Sequence, residues 1–211
     1  MKKILVITDS LGLPRENPEE CIYENTWPFL LKKNGFITHQ VSIGGATIDQ
    51  LFRQVIYHKL FNPDIVIVQA GIVDCAPRAL TQFESQFLNK FFLSRLALRY
   101  LMPRISNSLR KNRRISYTSS DSFEKYILRF KKQFSEIQFF WLGIMPSNTD
   151  YEKKIPGVTR NINHYNSILN KNLGHQLLTF DNIGDGLMSD HIHLNELGHN
   201  CVFNMLIDKI E

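Results

Sequence analysis

Residues 4–8 (ILVIT), 65–69 (IVIVQ) and 139–144 (FFWLGI) are short apolar runs in which hydrophobic and polar positions do not alternate. A strand with one face in water alternates. A strand covered on both faces does not, and such strands belong to parallel sheets layered between helices. Two further runs, 36–42 (FITHQVS) and 176–179 (QLLT), have strand character. Helical patterns separate them at 25–34, 47–60, 81–110, 121–135 and 160–172, and a last one spans 195–210. This rhythm predicts an α/β fold: a three-layer, flavodoxin-like parallel sheet of five strands in a single domain, 1–211. Asp121 and Asn195 are the expected N-caps of their helices. In the last helix Leu197, Cys201, Val202, Met205, Leu206 and Ile210 recur at helical spacing and should form the buried face. A parallel crossover needs only a dozen or more residues, so residues 77–137, between the third and fourth strands, read as a helical insertion.

Hydrophobic residues at 43% and charged residues at 21% exclude a disordered or collagen-like chain. The formal charge of +5 is unevenly placed. From Arg78 to Arg114 there are nine basic residues and one acid, Glu84, a local +8 that leaves −3 elsewhere. That balance does not indicate a nucleic-acid partner. The arginines interleave with Phe91, Phe92, Leu96, Leu98, Tyr100 and Leu101, and the pairs Arg95/Arg99 and Arg110/Arg114 would each line one helix face. A solvated face is the default reading. The alternatives are an anion site or weak contact with a membrane surface.

Three scattered cysteines, Cys21, Cys75 and Cys201, read as reduced thiols, with Cys75 a small buried side chain. The apolar run after MKK is too short for a signal peptide, and 91–102 is too short and too charged to span a membrane. A cytoplasmic location is the expectation.

In open parallel sheets, ligands bind outside the carboxyl ends of the strands. Those ends carry Thr8-Asp9-Ser10-Leu11-Gly12, Ile43-Gly44-Gly45-Ala46-Thr47 and Gly71-Ile72-Val73-Asp74, and Asp190-His191-Ile192-His193-Leu194-Asn195 precedes the last helix. Taken singly, Asp9-Ser10 reads equally as a capped turn and Asp190-His193 as a solvated loop. His191 and His199 read as solvent-facing or helix-surface residues, because no cysteine or carboxylate stands at metal spacing with them. No metal site or cofactor is expected.

In this order, the four segments resemble the sequence blocks of the SGNH (GDSL) hydrolase family, and DHIHLNELGHN is similar to its final block. The resemblance implies Ser10 as nucleophile, His193 as base and Asp190 as its acid partner. The Ser10 and Gly45 N–H groups would take the oxyanion. A carboxylate three residues before the histidine can hold its Nδ1–H and turn Nε2 toward the serine. There is no G-x-S-x-G elbow, so an ordinary α/β-hydrolase is disfavoured. Thr8 stands where the family has Gly, and Val73 where it has an Asn that donates to the oxyanion. Gln69, Asn148 and Arg78 are the candidate replacements. Asp74 and Arg78 are the candidate substrate contacts, although Asp74 also reads as a structural residue that holds its loop.

The expected function is ester hydrolysis on a carbohydrate or small O-acyl compound. The alternatives are acyl transfer from coenzyme A to a polysaccharide precursor, or a non-catalytic carbohydrate-binding or assembly protein on the same fold. The acyl group, the acceptor and the oligomeric state are not specified by these residues.

Overall fold

A computed structural model describes residues 1–180 and 183–210, with residues 92–98 described as backbone only. The five strands are β1 (Lys3–Thr8), β2 (Ile37–Ser42), β3 (Ile65–Gln69), β4 (Gln138–Leu142) and β5 (Leu177–Leu178). They form one all-parallel sheet in the order β2-β1-β3-β4-β5. The three runs that lacked alternation are the three central strands. Ile4 to Ile7 and Ile65 to Val68 are fully buried, as are Trp141 and Leu142. The FITHQVS run lies on an edge, where one side of a strand meets solvent, and is only partly buried.

The helices are α1 (Trp27–Lys33), α2 (Ile48–His58), α3 (Ile72–Cys75), α4 (Gln82–Asn89), α5 (Phe92–Arg113), α6 (Ser120–Gln133), α7 (Thr149–Lys154), α8 (Val158–Leu173) and α9 (Glu196–Ile210). Two layers cover the sheet. α6 packs against both α2 and α8 on one side, and α1 packs against α9 on the other. Aromatic rings fill the first layer: Phe130 stands edge-on to both Phe52 and Trp141, at centroid distances of 5.0 and 5.4 Å. No helix among the described residues is long and apolar enough to cross a membrane.

The stretch between β3 and β4 is two things. α6 buries Phe123, Ile127 and Phe130 and belongs to the sheet layer. The excursion proper is α4 and α5, which bury no residue among those whose side chains are described. The expected single helix over 81–110 breaks at Lys90 and Phe91. The Thr81/Glu84 capping box starts α4, and Arg113 reaches back to grip both Glu84 oxygens at 2.7 and 2.9 Å. The one acid of the basic stretch is thus spent joining the two helices. Arg114 has a left-handed conformation just past α5, so it does not share a helix face with Arg110. Phe91, Tyr100 and Leu101 are exposed. The side chains of Phe92, Arg95, Leu96 and Leu98 lie outside the described residues.

Other expectations need correcting. Ser119, not Asp121, caps α6, and its hydroxyl accepts from Ser122 N; Asp121 occupies the first turn. The buried face of α9 is Gly198, His199, Val202, Leu206 and Ile210, with Leu197 and Cys201 exposed, so the stripe is rotated from the expected one. His199 is buried, and its Nδ1 accepts the Trp27 N–H at the start of α1 (3.2 Å), which joins the two helices of that layer. Burial pushes its pKa down to about 4, so it stays neutral. Cys21 and Cys75 are buried, and all three cysteines are free.

Gly198 is needed where α9 meets the loop before it. A Cβ there would sit 2.0 Å from the Gly186 carbonyl oxygen, a backbone atom that cannot swing away. Asn195 holds the same junction: its Oδ1 accepts from Gly198 N, and its Nδ2 donates to Asp185 O at 2.6 Å. Gly198→Ala should therefore lower the unfolding free energy by about 1–3 kcal/mol, measured by urea denaturation. An unchanged midpoint would show that the loop can retreat at no cost.

Candidate functional site

The register places the carboxyl ends of four strands side by side. Thr8 of β1 is level with Ser42 of β2 and Gln69 of β3, and Gln69 with Leu142 of β4. The chain leaves β1 through Asp9, which caps a short 3₁₀ turn over Ser10–Gly12: its Oδ1 accepts from Leu11 N at 3.0 Å. Burial, opposed by that N–H and reinforced by the Asp74 charge, raises the Asp9 pKa to about 7. Ser10 is thereby held at the sheet edge, 8% exposed.

The 188–194 loop comes to meet it. Met188 N donates to His193 O, and His191 takes a left-handed conformation that turns the chain back. Inside the turn Asp190 uses both oxygens. Oδ1 accepts the backbone N–H groups of Ile192 and His193 at 2.9 and 3.0 Å, and Oδ2 lies 2.6 Å from His193 Nδ1. His193 Nε2 is 3.0 Å from Ser10 Oγ. Ser10, His193 and Asp190 are therefore in hydrogen-bonded series.

A fourth group, absent from the sequence reading, touches this series. Arg15 NH2 lies 2.5 Å from His193 Nε2. A guanidinium can only donate, so Nε2 must be the acceptor and the ring proton must sit on Nδ1, facing Asp190. Arg15 belongs to a loop closed by backbone bonds exchanged with Cys21 (2.9 and 2.8 Å) and docked by Glu19, whose carboxylate accepts from Ser189 N. No spacing pattern marks an arginine five residues past the serine. The contact spans 178 positions and exists only in three dimensions.

Ser10 and His193 line an open pocket of about 150 Å³ with Ile72, Val73, Ala76, Pro77, Tyr151 and Ile155, and with Arg78 among its walls. Val73 makes this wall apolar where the resemblance called for an amide. Of the candidate replacements only Arg78 lines the pocket; its NH2 donates to Val73 O at 3.1 Å and its guanidinium lies over the Tyr117 ring. Gln69 is buried and accepts from Trp27 Nε1 (3.1 Å), and Asn148 caps α7 through Tyr151 N. The N–H groups of Ser10 and Gly45 have no acceptor among the described residues, and Gly45 is exposed at φ +70°, a conformation open to glycine. Asp74, a candidate substrate contact, is instead fully buried. It accepts from Ile48 N at 3.0 Å and from the Thr118 hydroxyl, so it ties α2 and the start of α6 to the β3 edge and does not face the pocket.

Burial lowers the His193 pKa, Asp190 opposes this, and the Arg15 charge adds to it; the net shift is below the ordinary 6.5. Burial pushes the Asp190 carboxyl up, but hydrogen bonds from His193 and Ile192 outweigh it and hold the carboxyl below its usual range. The His193 ring should thus titrate below 6.5 in an NMR titration. Asp190→Asn should lower that value further, because it removes the charge that favours imidazolium. A rise in the variant would contradict this arrangement.

No protein-family model and no curated protein sequence matches the chain. Solved structures match its fold throughout. A lipase/acylhydrolase from Enterococcus faecalis superposes with a TM-score of 0.62 at 11% identity, covering 100% of this chain and 95% of that one. An acetyl xylan esterase, AlAXEase, gives 0.61 at 18% identity, with 99% and 100% covered. A GDSL-like lipase from Bacteroides thetaiotaomicron gives 0.60 at 14%, with 98% and 86% covered. At such identities the likeness is one of architecture, and the architecture of this chain is that of the SGNH (GDSL) hydrolases.

Proposed function

We propose that the chain is a serine hydrolase of short-chain carboxylic esters. The observation that carries this reading is the Ser10–His193–Asp190 series, with links of 3.0 and 2.6 Å and the ring proton on the Asp190 side. Ser10 Oγ attacks the ester carbonyl while its proton passes to His193 Nε2. The tetrahedral oxyanion is held by the Ser10 and Gly45 N–H groups. Collapse breaks the bond to the alcohol oxygen, which takes the Nε2 proton. Water, deprotonated by the same nitrogen, then releases the acid and regenerates Ser10. Asp190 keeps the tautomer and stabilises the imidazolium.

The pocket bounds the acyl group. Sites for drug-sized ligands run to about 300–1,000 Å³, so about 150 Å³ of mostly apolar space suits an acetyl or similarly short chain. O-acetylated carbohydrates are the proposed natural class, in keeping with the acetyl xylan esterase among the structures of like fold. Val73 is the sequence feature that favoured a non-catalytic protein on this fold. Against that reading, Ser10 Oγ lies within hydrogen-bond reach of His193 Nε2, at 3.0 Å.

The wild-type protein should hydrolyse 4-nitrophenyl acetate faster than the octanoate, and Ser10→Ala should reduce kcat by about 10³-fold or more. Equal rates for variant and wild type would remove Ser10 from the chemistry. kcat/KM should fall as pH drops through the His193 ionisation, since only the neutral ring accepts the proton, and the lowered pKa puts that limb below 6.5. A rate that rises as the pH falls below 6.5 would contradict a histidine base.

A further inference from the structure

Two donors converge on one lone pair. His193 Nε2 has a single in-plane acceptor position, and both the Ser10 hydroxyl (3.0 Å) and Arg15 NH2 (2.5 Å) are directed at it. As a charged donor the guanidinium forms the stronger bond. While it holds the lone pair, the ring cannot take the Ser10 proton, so turnover requires Arg15 to move off Nε2.

The surroundings of Arg15 indicate what could draw it away. Among the described residues no carboxylate lies within ion-pair distance of it. Its Nε–H is buried without an acceptor, and NH1 reaches only the Asn17 carbonyl, at 3.4 Å. Glu16, Glu19 and Glu20 of the same loop are exposed, and Glu19 is engaged by Ser189 N. Backbone bonds between Arg15 and Cys21 hold the loop, so the side chain can swing without dismantling it. In the pocket wall Arg78 likewise has no carboxylate within ion-pair distance among the described residues, and its Nε–H is buried without an acceptor. Two guanidinium groups without a carboxylate partner therefore stand at the site, Arg15 on His193 Nε2 and Arg78 in the pocket wall.

We propose that the ester cleaved here carries an anionic group, carboxylate or phosphate, on its leaving alcohol, and that this anion binds Arg15 and thereby frees His193 Nε2 to act as base. The anion is assigned to the alcohol because Nε2 must hand its proton to the departing oxygen, which places that oxygen beside Nε2 and hence beside Arg15. Arg15 is then a specificity-determining residue: with a neutral ester it must leave the base unaided, and an acidic ester draws it off. The inference rests on the serine-hydrolase reading above.

The test compares 4-nitrophenyl acetate with 3-carboxy-4-nitrophenyl acetate in the wild type, Arg15→Met, Arg15→Lys and Ser10→Ala. The ratio of kcat/KM, anionic over neutral, should drop by about 10- to 100-fold in Arg15→Met, the range expected for losing a charged hydrogen bond. The neutral ester should be cleaved faster by Arg15→Met than by the wild type, and Arg15→Lys should recover part of the ratio. A merely structural residue would slow both esters alike. That outcome, or an unchanged ratio, overturns the proposal while leaving the Ser10 chemistry standing. If Ser10→Ala cleaves both esters as fast as the wild type, both readings fall. Acetate release from an O-acetylated hexuronate and from an O-acetylated hexose phosphate, each against the uncharged O-acetylated hexose, identifies the anion by whichever is faster. No advantage for either over the uncharged sugar counts against the proposal.

Discussion

β1 is hydrogen-bonded along both edges, to β2 and to β3, and its residues Ile4 to Thr8 are wholly buried. A strand in that position cannot slip, because every shift would break two ladders and carry apolar side chains out of register with both helical layers. Its carboxyl end therefore defines where Ser10 stands. Asp9 completes the exit by capping the turn, and its carboxyl, raised to about 7, is protonated at small cost in so dry a position. Asp74 does similar work from β3, tying α2 and the start of α6 to the same edge.

The second half of the site is brought by a loop that is rigid for local reasons. Asp190 satisfies two backbone N–H groups and the His193 ring at once, so the imidazole plane is set within a turn of a few residues. Asn195 and the Gly186–Gly198 contact fasten that turn to α9. The electrostatics at His193 are a contest. Asp190 favours the protonated ring, whereas burial and the Arg15 charge favour the neutral one, and the balance lies on the neutral side. Arg15 thus keeps the base in its receptive form while occupying the position the serine proton must take.

Much of the architecture was legible because buried parallel strands have a composition of their own. ILVIT, IVIVQ and FFWLGI needed no alternation to be recognised, and the rule that such sheets bind ligands at their carboxyl edge pointed to the residues that follow them, Ser10 among these. What was misread shares a cause. The buried face of α9 and the placement of His199 against Trp27 depend on partners far along the chain, which a helical pattern does not specify. The basic stretch was legible as a charge excess. Its folding was not, because the Glu84–Arg113 pair and the break at Phe91 arise only when α4 and α5 meet.

Hydrophobic patterning, a local property of the chain, by itself determined the layered sheet, and the resemblance of four sequence segments to the SGNH (GDSL) blocks named Ser10, Asp190 and His193. Only the tertiary structure decided what surrounds them: an apolar pocket wall at Val73, Arg78 among the pocket walls and Arg15 on the base. Those are contacts between segments distant in sequence, and their geometry is set by how two layers close over one sheet rather than by any residue's neighbours.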